Sequence, residues 1–61
     1  MLAEERFSKI LSIIETEGSA TMQELMTALD ASESTVRRDL NTMDDNGLLT
    51  KVHGGAVAKR P

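Results

Sequence analysis

The 61-residue chain contains no cysteine. That excludes disulfides and cysteine-ligated zinc, and it fits a reducing cytoplasm, the expected location. Long apolar runs are also missing. The longest are a few residues, far short of the ~20 needed to cross a bilayer, so no membrane partner is expected. The N-terminus shows no basic-then-apolar secretion signal. Histidine occurs once, at His53. With no second histidine and no cysteine, a metal shell of the usual kind cannot be completed. Beside two glycines, His53 reads as a turn residue. "HGG" is not a phosphate loop, because neither a GK[ST] unit nor a helix follows it. No nucleophile has a visible activating base, and so small a domain offers little room for a cleft. Neither an enzyme nor a cofactor is expected.

What is present points to one small folded domain. Apolar residues make up 39% of the chain and fall in periodic clusters, which favours a packed core over disorder. A net charge of −3 argues at first against a polyanionic partner. The distribution weakens that argument. Residues 1–30 hold six acids against Arg6 and Lys9, whereas residues 31–61 hold five bases against four acids. From Gly47 onward there are three bases, Lys51, Lys59 and Arg60, and no acid. Such asymmetry either builds a local basic surface on an acidic protein or is a chance fluctuation.

Hydrophobic spacing predicts the elements. Phe7, Ile10, Leu11 and Ile14 stand at i, i+3, i+4 and i+7, one stripe of a helix over about residues 3–17, with Gly18 closing it. Met22, Leu25, Met26 and Leu29 repeat the pattern over about residues 22–29, behind Thr21 and Glu24 at capping-box spacing. The methionines, with Met43, sit at core spacing. "SAT" before this helix has room for an extended residue or two. Asp30 and Ala31 leave almost no linker before Ser32, a good N-cap, and aspartate tolerates the left-handed backbone of a tight turn. A third helix is expected over about residues 33–46, ended by Gly47. "LLTKV" and "AVA" around "HGG" read as two short strands joined at a Gly-Gly turn, and Lys59 to Pro61 as the start of a linker.

Two helices joined by a short turn, the second opened by a serine cap, describe a helix-turn-helix. At about 100° per residue, Val36, Leu40, Met43 and Gly47 share one side of the third helix, and Ser34, Arg38, Asn41 and Asp45 the other. Thr35 and Arg37 flank the outer side. Arginine donates a bidentate pair to guanine and asparagine does the same for adenine, while hydroxyls and helix N-terminal amides hold phosphate. Asp45 would be repelled by DNA, so only the first half of the helix suits a groove. The competing reading is a solvated face on which Arg37 or Arg38 pairs with Asp39, Asn41 or Asp44.

The chain resembles the N-terminal DNA-binding domain of the DeoR-type family of bacterial transcriptional regulators. The resemblance rests on Arg6, Ile10 and Ile14, then Ser32, Thr35, Val36, Arg37, Arg38, Asp39 and Leu40, and the trailing "GLLTKVHGGAV". It implies a small α+β winged helix-turn-helix, three helices followed by a β-hairpin wing, over residues 1–58. Residues 59–61 would begin a linker to a C-terminal effector domain lying beyond this chain. It further implies a repressor, or occasionally an activator, of sugar or nucleoside catabolism genes. The partner would be a double-stranded DNA operator, and a sugar-phosphate effector would act only through the C-terminal domain. Carried over by position, Ser34, Thr35, Arg37 and Arg38 would contact DNA from the third helix, and Lys51, His53, Gly54 and Gly55 would belong to the wing. Both glycines are expected to supply positive φ in the turn. Arg6 and Asp39 would be structural, tying helix 1 to helix 3. Lys51 stands where arginine is frequent, which keeps charge and loses bidentate geometry.

Two other classes compete. A winged-helix protein-interaction module would work through the acidic N-terminal half, and double-stranded RNA is a weaker third partner. No leftover apolar stripe is large enough for a stable dimer contact, so the isolated domain is expected to be a monomer. The intact regulator is expected to be a homo-oligomer whose joined heads read an inverted repeat. It would be nucleoid-associated when bound.

Overall fold

The computed structural model describes residues 1–59. Arg60 and Pro61, expected to begin a linker, with Arg60 adding to the basic tail, lie outside the described residues. The elements follow the order α1 (Ala3–Glu17), β1 (Ser19–Thr21), α2 (Met22–Leu29), α3 (Glu33–Asp45), β2 (Leu49–Val52) and β3 (Gly55–Ala58). None of the helices is long and apolar enough to cross a membrane, among the described residues.

Local signals explain where each helix starts and stops. Leu2 has no side-chain oxygen to cap α1, so Glu5 reaches back to the Leu2 N–H at 2.7 Å. Thr21 and Glu24 form a full capping box on α2: the Glu24 N–H donates to Thr21 Oγ1 at 3.1 Å and the Thr21 N–H to Glu24 Oε1 at 2.8 Å. Asp30 ends α2 in the left-handed region, at φ +51°, as the lack of linker glycine required. Ser32 caps α3 by accepting the Thr35 N–H at 3.3 Å. The third helix stops at Asp45, one residue short of the expected end, because Asn46 is already its C-cap.

The sheet exceeds the expected hairpin. The few extended residues allowed at "SAT" form a complete strand, and the order is β1-β3-β2 with both pairings antiparallel. The strand just before α2 therefore pairs with the last strand of the chain. Two further backbone bonds lock it there. The Met22 N–H donates to Gly54 O at 2.7 Å, and the Ala58 N–H to Gly18 O at 3.0 Å.

The core gathers Ile10 and Ile14 from α1, Leu25 and Leu29 from α2, Val36, Leu40 and Met43 from α3, and Ala20, Leu49 and Ala56 from the sheet. Burial of each large aliphatic side chain contributes roughly 1.5–3 kcal/mol. The i, i+3, i+4 stripes thus meet at one point, and α3 is held with its opposite side facing solvent.

Candidate nucleic-acid interface

The outward side of α3 is the one that helical geometry predicts. Ser34, Arg38 and Asn41 are exposed opposite the buried Val36, Leu40 and Met43. Ser34 lies at the helix mouth, with its hydroxyl 3.2 Å from Ser32 Oγ. Thr35 is half-buried and accepts from Ser32 Oγ at 3.1 Å. The Ser32 hydroxyl therefore organises the first turn, a task the cap position alone did not reveal.

Charge pairing separates the two arginines. Arg37 Nη1 lies 3.4 Å from Glu33 Oε2, an exposed i,i+4 pair of small energetic weight. Arg38 enters no ion pair among the described residues. The aspartates that offered local partners are engaged elsewhere. Asp39 faces Arg6, and Asp44 accepts the backbone N–H of Lys51 at 3.0 Å.

The Arg6–Asp39 contact fixes α3 from behind. Arg6 Nε donates to Asp39 Oδ2 at 2.5 Å and Nη2 to Oδ1 at 3.1 Å, a fork-to-fork pair. Asp39 is only 5% exposed. Its hydrogen bonding holds the Arg6 guanidinium above its ordinary range, against an opposing effect of desolvation and with further help from Coulombic attraction. Lysine at position 6 would keep the charge and lose the fork. Asp39→Ala is expected to lower the melting temperature by several degrees, and Arg6→Lys by less. Unchanged thermal melts in both variants would deny the pair this role.

On the wing, the turn differs from the expected Gly-Gly centre. Val52 pairs with Gly55, so the two central residues are His53 and Gly54. Gly54 has φ +84°, while Asp30 is the lone non-glycine with positive φ among the described residues. A negative φ at His53 followed by a positive one at Gly54 matches the φ pattern of a type II turn. His53 and Gly54 are exposed and Lys51 is half-buried. Gly55, expected as a turn residue, is instead the first residue of β3. Its φ is not positive and it is buried in the central strand, where a Cβ would sit 2.1 Å from Ala20 O. Glycine is required there because β1 approaches too closely for any side chain. Lys59 is exposed, and its Nζ reaches to 3.0 Å from where a Cβ on Gly47 would stand. That places its charge at the end of α3, whose last turn has no base, where it opposes the negative end of the helix dipole.

A helix-turn-helix with a hydroxyl-capped, arginine-bearing third helix, followed by a β-hairpin beside that helix, is a winged helix-turn-helix, a class that binds DNA. The chain belongs to the DeoR-like helix-turn-helix domain family, whose pattern matches residues 6–61. It is 48% identical over 57 residues to the "Uncharacterized HTH-type transcriptional regulator FruR" of Bacillus subtilis (strain 168), a match covering 93% of this chain and 23% of that protein. The "Lactose phosphotransferase system repressor" of Lactococcus lactis subsp. lactis is 45% identical, over 84% of the chain and 20% of the repressor. The "HTH-type transcriptional regulator GolR" of Listeria innocua is 43% identical, over 87% of the chain and 21% of that regulator. The chain thus spans about a fifth of the length of these relatives. No solved structure matches it.

Proposed function

We propose that this domain reads a double-stranded operator by seating the first half of α3 in the major groove. The observation that carries the reading is the exposed strip Ser34–Arg38–Asn41, set opposite the buried stripe, with Arg38 outside any ion pair among the described residues. Arg38 has the donors for guanine and Asn41 the pattern for adenine. Arg37, on the flank, exchanges its weak Glu33 partner for a phosphate. Ser34 and Thr35 hold phosphate at the helix mouth. Lys51, His53 and Gly54 belong to the wing that lies along the flanking backbone, and Gly55 supports them from inside the sheet.

The intact protein is a cytoplasmic regulator, in the main a repressor, of carbohydrate or nucleoside catabolism genes. The repressor names of relatives such as the lactococcal one support this. Its sugar-phosphate effector and its oligomer contacts belong to a further domain, which joins two reading heads on an inverted repeat.

The test uses a duplex selected by the wild-type chain from a randomised library. Arg38→Ala is expected to cost about 1–3 kcal/mol on the selected site and to flatten preference at one base position. Arg37→Ala is expected to weaken selected and unselected duplexes alike. Equal loss of preference in both variants would overturn the division of roles.

A further inference from the structure

We propose that Asp44 is a positioning residue for the wing: its carboxylate fastens the edge strand β2 to the end of α3 and so sets helix and wing for one and the same DNA. The inference rests on the DNA-reading function proposed above and adds a residue to it.

Asp44 is an acid in the last turn of α3, the helix read above as facing DNA, where a carboxylate and phosphate would repel each other. What it does in the structure explains its presence. β2 is an edge strand, and in an antiparallel ladder alternate residues turn their N–H away from the partner strand. The Lys51 N–H is such a group. It points off the open edge and donates to Asp44 Oδ2 at 3.0 Å. The bond spans seven residues and crosses the turn between α3 and β2. It satisfies an edge donor, which blunts the edge against foreign pairing. It also sets the side from which the wing leaves. At about 100° per residue, Asp44 shares a flank of α3 with Arg37 and Glu33. The flank to which the wing is tied is therefore the one that bears the phosphate-anchoring arginine. On the other flank, Asp39 is held by Arg6 of α1. The two aspartates brace the third helix from opposite sides, one against the body and one against the wing.

The sign of the effect on DNA affinity separates this role from that of a surface acid. Removing a carboxylate near phosphate strengthens binding by charge alone. Removing the wing's anchor weakens it. The assay measures binding of the chain to a fluorescein-labelled, mixed-sequence duplex across a salt series. Asp44→Ala is expected to bind more weakly, with a salt slope of log K shallower by roughly 0.9 for each phosphate that the wing no longer neutralises. Asp44→Asn keeps an acceptor oxygen and loses the charge, so it is expected to bind as tightly as wild type or more tightly. Tighter or unchanged binding by Asp44→Ala would overturn the proposal, as would equal weakening by both variants. A DNA-free readout keeps the anchor apart from the function it serves. The Lys51 amide should exchange with solvent faster in Asp44→Ala than in wild type, and Asp44→Asn should retain most of its protection. Unchanged exchange in Asp44→Ala overturns the anchor even if the chain binds DNA. Faster exchange in a chain that fails to bind any duplex would overturn DNA reading and leave the anchor standing.

Discussion

Replacing Gly55 by alanine is expected to be among the most damaging single changes in this chain. The added Cβ would stand 2.1 Å from Ala20 O and 3.0 Å from Thr21 Cα, both backbone atoms of β1. No rotamer change relieves such a clash, so β1 and β3 must part. The consequences spread, because β1 runs directly into α2 and the Met22 N–H is bonded to Gly54 O. Overpacking on this scale is expected to cost about 3 kcal/mol or more. At about 0.05–0.15 kcal/mol per residue, the whole domain has roughly 3–9 kcal/mol of stability. The variant should therefore melt far below wild type or be unfolded at room temperature. Gly54→Ala is the control. Its Cβ meets nothing within 4 Å, and only the φ of +84° opposes it. A left-handed residue of that kind costs about 1–2 kcal/mol. Thermal and urea unfolding should rank Gly55→Ala well below Gly54→Ala. Equal midpoints would mean that strand proximity does not decide position 55.

Leu40→Ala is the second large effect. Leu40 is fully buried on the stripe of α3 that packs with Ile10, Ile14 and Leu25. Truncation in such a site is expected to cost about 2–5 kcal/mol, from reduced burial and the cavity left behind. DNA binding should fail through unfolding, since the same helix carries the core stripe on one side and Arg38 on the other. Arg38→Ala should instead lower affinity at an unchanged melting temperature, because Arg38 is exposed. Leu40→Met, which nearly conserves volume, should cost less than about 1.5 kcal/mol. A cooperative unfolding curve for Leu40→Ala at the wild-type midpoint would place the core elsewhere.

The three helices and the outward strip were legible in the sequence, because both depend on local rules. Apolar spacing at i, i+3, i+4 and i+7 selects a helix and names its buried side, and the opposite side follows from 3.6 residues per turn. Thr21 with Glu24, Asp30 and Ser32 mark boundaries because capping and turn chemistry act within three or four residues. Longer-range features had no such signal. The pairing of β1 with β3 joins Ser19 to Val57, and nothing in "SAT" names its partner. For the same reason Gly55 looked like a turn glycine, when the demand on it comes from a strand 34 positions earlier in the chain. Arg37 and Arg38 had Asp39, Asn41 and Asp44 as neighbours on the same helix, yet the carboxylate at i,i+4 reach is Glu33, which pairs with Arg37. The tie between Arg6 and Asp39, 33 residues apart, was expected from the family resemblance and from no local rule, and nothing in the sequence pointed Asp44 to the Lys51 N–H. Periodicity and caps thus determined which elements form and which face of α3 is free, since those energies arise between near neighbours. Tertiary structure alone decided that Asp44 meets the Lys51 N–H and that no side chain fits at position 55, because such contacts exist only once distant segments have been brought together.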